Sequence, residues 1–115
     1  MSSPLIANLE KLIGTPRDGA LLRFSLGHEH LKGNETAKAA ARFREAVSLD
    51  PNYSAAWKQL GHALLANQEP AEAIAAWQQG IEVAGRRGDK QAAREMTVFL
   101  NRTRKQLENP SRSQG

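Results

Sequence analysis

The side chains able to do chemistry are few. The chain has three histidines, twelve carboxylates and no cysteine, which removes thiolate nucleophiles, disulfides and Cys-based zinc or iron-sulfur sites. His28-Glu29-His30 resembles a metal motif, but residues two apart on a helix point about 200° from one another, so the two imidazoles cannot share an ion. There is no Gly-rich phosphate loop, Gly-x-Ser-x-Gly elbow, His-Glu-x-x-His motif or calcium loop of alternating carboxylates. The carboxylates Glu29, Glu35 and Glu45 stand at short helical spacing from Lys32, Lys38, Arg42 and Arg44, the pattern of surface ion pairs. Asn34-Glu35-Thr36, Asn52-Tyr53-Ser54 and Asn101-Arg102-Thr103 match the glycosylation sequon but read as turn chemistry. The expectation is a protein that is not an enzyme and uses no metal or cofactor.

If these residues do not catalyse, the elements that carry them must serve recognition. At 115 residues and 12.6 kDa the chain fits one domain and could bury about 65% of its unfolded surface. No apolar run approaches the roughly 18 residues of a membrane span. The start of the chain lacks the pattern of a secretory signal, so a cytoplasmic location without membrane insertion is expected. The net charge of +4 is unevenly placed. Residues 1–85 hold 8 basic and 9 acidic side chains, whereas 86–112 hold 8 basic against Asp89, Glu95 and Glu108. Basicity is a property of the C-terminal segment alone.

An internal repeat organises the rest. A shift of 34 residues places Leu26-Gly27-His28 on Leu60-Gly61-His62, Ala39 on Ala73 and Phe43 on Trp77. Each unit holds two amphipathic stretches of helical length, broken at Gly33-Asn34 and at Asn67-Gln68-Glu69-Pro70. The unit is therefore a helix-turn-helix. Gly27 and Gly61 permit close approach, and Phe43 and Trp77 fill the wedge between helix pairs. Equivalent placement brings His28 and His62 onto neighbouring helices, where they could share a ligand or contact a partner. With no third donor in view, solvated imidazoles are expected, and His30 falls in a packing slot.

These residues resemble the tetratricopeptide repeat, whose pattern is W-x2-L-G-x2-Y, A-x3-F, then A and P. Leu26, Gly27, Ala39, Phe43, Ala46 and Pro51 meet it in the first unit, with Arg23 and His30 in the Trp and Tyr slots. Trp57, Leu60, Gly61, Ala73 and Trp77 meet it in the second, with Leu64 in the Tyr slot, Gly80 in a small-residue slot and Gly85 in place of the Pro. Asp50-Pro51-Asn52 matches the usual inter-repeat turn. The resemblance covers about residues 20–85 and implies an all-α, right-handed solenoid segment of helix-turn-helix repeats with N- and C-terminal flanking helices.

The expected organisation is a single domain. It comprises an N-terminal flanking helix over 4–13, repeats over 20–53 and 54–87, a capping helix over 89–108 and a flexible tail over 109–115. Ser3 and Asp89 are the expected N-caps. Leu5, Ile6, Leu9, Leu12 and Ile13 form the apolar stripe of the first helix. In the capping helix the arc is Ala92, Ala93, Met96, Phe99, Leu100, Thr103 and Leu107.

In such a superhelix the first helix of each pair lines the concave side. The expected binding residues are Phe24, His28 and Lys32, then Lys58, Gln59 and His62, then Met96, a groove suited to a peptide or helix. A clamp for acidic chaperone tails, known in the family, is poorly matched. Phe24, His28 and Gln59 occupy its first places, and Asp89 or Lys90 with Ala93 or Arg94 the last. The leading expectation is a monomeric protein-interaction module with a protein or peptide partner. The alternative is a basic face, Lys90, Arg94 and Lys105, that meets nucleic acid or an anionic surface. Nucleic acid is the less expected ligand, because little aromatic character is interleaved with the charge.

Overall fold

The computed structural model describes residues 3–109, and within them every regular element is a helix. The six are α1 (Pro4–Glu10), α2 (Ala20–Lys32), α3 (Thr36–Leu49), α4 (Ser54–Ala66), α5 (Pro70–Arg86) and α6 (Lys90–Glu108). The tail expected over 109–115 lies, apart from Asn109, outside the described residues.

The boundaries follow from local chemistry. Ser3 accepts a hydrogen bond from the Ile6 amide at 3.1 Å and Pro4 opens α1 without needing a donor. Asp89 caps α6 in the same way through the Ala92 amide at 3.1 Å. The turns inside the two helix pairs repeat in detail. Asn34 and Gln68, 34 residues apart, take positive φ of 60° and 63°, a conformation that ends one helix and aims the next. The first helix is shorter than the span 4–13. Regular helix stops at Glu10, and Lys11–Gly14 continue as turns because Gly14 swings to φ 81°. That turn carries Leu12 and Ile13 back onto Ile6, Leu22 and Leu26, whereas Leu5, expected in the stripe, faces solvent with 48% of its surface exposed.

Glycine and aromatic pairs set the packing within each repeat. A Cβ on Gly27 would come within 2.7 Å of the Phe43 ring, and one on Gly61 would collide with the Trp77 indole nitrogen. The indole passes over Gly61 to donate to the Lys58 carbonyl at 3.1 Å. Phe43 and Trp77 are both fully buried. Gly80 does the same service at the next interface, where Met96 and Trp57 occupy the space a side chain would need.

Arg23 stands in the Trp slot of the first repeat and does different work. Its guanidinium pairs with Asp18 and with Glu45, each at 2.8 Å, and Asp18 also accepts from the Gly14 amide at 2.9 Å. Both partners are held below the usual carboxylate range, Asp18 chiefly by its hydrogen bond to Arg23. The network ties the loop after α1 to the first repeat.

The α2–α3, α3–α4, α4–α5 and α5–α6 pairs pack in chain order. The α2–α4 and α4–α6 backbones also approach one another closely, whereas those of α3 and α5 stay further apart. The stack therefore curves, with α2, α4 and α6 on its inner side.

Candidate functional site

The inner face takes its floor from aromatic side chains. Phe24 on α2 is half-buried, stacked on Tyr53 with centroids 5.0 Å apart and tilted against Phe43 at 5.6 Å. His62 on α4 sits edge-on to Phe99 at 4.5 Å and to Trp77 at 5.6 Å. Burial among these rings holds the imidazole pKa below 6.5, with the nearby Lys58 ammonium adding to the effect and Glu95 opposing it. His62 is therefore a neutral aromatic element of the floor near pH 7. His28, its equivalent on α2, is exposed and has no such enclosure. No group of three or more His, Asp or Glu side chains that could hold a metal occurs among the described residues.

The remaining expected residues divide. Lys32 is exposed and reaches Glu29 at 3.5 Å, and Gln59 is half-buried. Lys58 spans the inner face to meet Glu95 at 2.9 Å, and that ammonium lowers the Glu95 pKa. It is thus a strut between α4 and α6 as well as a potential donor. Met96 does not belong to the surface at all: it is 0% exposed, packed under Gly80 and Trp57. His30 is buried and shares a hydrogen bond with Glu35 at 3.0 Å, which lowers the Glu35 pKa.

The misplacement of Met96 has a definite cause. Pro51 follows the end of α3, but Gly85 stands at the equivalent place and α5 runs on to Arg86. The next turn starts later, and α6 begins 36 residues after α4, whereas α4 begins 34 after α2. Leu60 and Leu64 then correspond to Met96 and Leu100, and all four are buried. In this register the inner positions read Phe24, Lys58, Arg94; then His28, His62, Val98; then Lys32, Ala66, Arg102. The last two places of the acidic-tail clamp fall on Gln91 and Glu95, which removes its cations. Val98, Arg102 and Glu95 were not anticipated as inner-face residues. Glycine in place of a proline at position 85 signals that the register can slip here, but not by how many residues.

Of the basic residues singled out on α6, Lys90, Arg94 and Lys105 are all exposed. None has a carboxylate within 4 Å among the described residues, and the same holds for Arg102 and Arg104.

A curved stack of helix pairs, each locked by an aromatic over a glycine, defines a class of repeat scaffold. The chain belongs to the tetratricopeptide repeat family, whose pattern matches residues 30–95. It is similar to a TPR repeat-containing protein of Pseudomonas aeruginosa, 46% identical over 98 residues that cover 85% of this chain and 93% of that one. The solution structure of a Bordetella parapertussis protein superposes with a TM-score of 0.77 at 36% identity, covering 93% and 95% of the two chains. The Sgt2 TPR domain of Aspergillus fumigatus gives a TM-score of 0.77 at 25% identity over 93% of this chain and 68% of that one. Tetratricopeptide repeats are in general protein-protein interaction modules. No helix of the described residues is long and apolar enough to cross a membrane.

Proposed function

We propose that this protein is a non-enzymatic adaptor or assembly partner that receives a peptide or helix of another protein against the inner face of α2, α4 and α6. One observation carries the reading: the three first helices lie on the inside of the curve. Their inward positions combine a half-buried aromatic floor with an open stripe of Leu21, His28, Lys32, Ala55 and Ala66. Leu21 leaves 69% of its surface exposed, an apolar side chain available as an anchor. Binding there requires little rearrangement, because Phe24 and His62 are already held by their ring contacts.

The test is photo-crosslinking in cells that make the protein. A photoreactive phenylalanine analogue at position 28 or 66 should trap a defined partner. The same group at Ala37 or Ala71, exposed on α3 and α5, should not. Adducts confined to positions 37 and 71 would move the docking surface to the outer side.

A further inference from the structure

The inner face is not electrically uniform, and its asymmetry specifies a partner. At about 100° per residue, Lys90, Arg94, Val98, Arg102 and Lys105 occupy an arc of roughly 120° on α6. The arc lies opposite the buried Met96, Leu100 and Thr103. Its position relative to α4 is fixed by two contacts: Glu95 bonds to Lys58 and Phe99 meets His62. Those two residues border the arc on the side nearest α4, with Arg102 and Val98 next to them around the helix. The basic surface and the concave surface are consequently one continuous face, with an aromatic floor on α2 and α4 and a cationic wall on α6. Along the axis the wall runs from Lys90 to Lys105, about 22 Å or four helical turns. Val98, with 51% of its surface exposed, lies in its middle.

We infer that the partner segment is acidic and amphipathic: an α-helix or extended peptide with apolar side chains facing Val98 and the floor and carboxylates facing Arg94, Arg102 and Lys105. This rests on the inner-face docking proposed above and adds the chemistry of what docks. Charge complementarity supports it, since three cations without a carboxylate within 4 Å among the described residues sit at the rim of an apolar site. Nucleic acid fits less well, because Phe99, the aromatic on this helix, is engaged with His62 and leaves no stacking platform among the cations. A bilayer fits less well again. The wall belongs to an inward-curving face, and its exposed apolar content is one valine.

A display library of random peptides about 15 residues long, four helical turns, is selected on the full-length chain. Captured peptides should be net acidic with apolar residues at helical or alternate spacing. Their capture should fall at least tenfold on the variant Arg94→Glu, Arg102→Glu, Lys105→Glu, whose substitutions are exposed and whose circular dichroism should be unchanged. Neutral or basic peptides, lost with His28→Asp and Leu21→Asp but retained by the triple variant, would overturn the charge inference and leave the inner-face reading standing. Peptides indifferent to both sets of substitutions, or no enrichment over bare support, would overturn both. Submicromolar binding of an oligonucleotide or of phosphatidylglycerol vesicles near physiological salt, abolished in the triple variant, would assign the wall to a polyanion and refute the acidic segment.

Discussion

Adding one methyl group at Gly61 tests the packing logic of the whole array. In Gly61→Ala the new Cβ collides with the indole nitrogen of Trp77, which is fully buried and donates to the Lys58 carbonyl at 3.1 Å. The ring cannot yield without breaking that bond, and Phe99, 5.8 Å away, and His62, 5.6 Å away, limit where it can go. Overpacking of a dense interior costs about 1–3 kcal/mol. A buried donor left without its acceptor adds about 1–3 kcal/mol. The better helix propensity of alanine returns about 1 kcal/mol. The net is a loss of roughly 1–5 kcal/mol, which at about 4 °C per kcal/mol for a chain of this size lowers Tm by roughly 4–20 °C. Gly85, inside α5, has nothing within 4 Å of its Cβ position, so Gly85→Ala should show the propensity gain alone and raise Tm by about 4 °C. Thermal unfolding followed by far-UV circular dichroism measures both variants under one condition. Equal shifts of the same sign would refute the claim that glycine at position 61 is a packing requirement.

Truncating Met96 to alanine should open a cavity beneath Gly80 and Trp57 and cost about 2–5 kcal/mol, read from urea unfolding; a loss under about 1 kcal/mol would place the side chain on the surface instead. His62 makes stability depend on pH: its folded pKa lies below 6.5, so the unfolded chain binds the proton more readily. Stability should be retained above pH 6.5 and decline as pH falls from there through the lowered folded pKa. His62→Gln should flatten that part of the profile, and parallel curves for the two proteins would exclude His62 as the source. Arg23→Gln should release Asp18 and the loop after α1, so hydrogen exchange in Pro4–Glu10 should accelerate while α4 is unaffected; unchanged exchange would mean that Ile6, Leu9 and Leu12 alone hold the helix.

The helix pairs were legible because their determinants are local and repeated. Gly27 with Phe43 and Gly61 with Trp77 lie 16 residues apart within each unit, and a shift of the chain against itself reveals both. What could not be read was the position of α6. A helix ends where a residue stops it, and without a proline at Gly85 the end of α5 depends on how Val83 and Ala84 pack, which is a tertiary matter. Two residues of displacement moved Met96 from the surface into the core and brought Val98 and Arg102 to the inner face. The same displacement hid the roles of Lys58 and His62, since their partners Glu95 and Phe99 both come from α6. The length of α1 was misjudged for a related reason: leucine and isoleucine at 12 and 13 look helical by spacing, but the positive φ of Gly14 makes a turn serve to bury them.

The register of α6 also determines whether the array can grow. The place that Gly27 and Gly61 hold on α2 and α4 falls on Thr97, whose hydroxyl bonds back to the Ala93 carbonyl at 2.7 Å. A helix following α6 and carrying its own aromatic would meet a branched side chain where its predecessors met bare backbone. One threonine thus acts as a stop codon written in packing rather than in nucleotides. Anyone grafting further repeats onto this scaffold would have to restore glycine at position 97 before the new pair could nest.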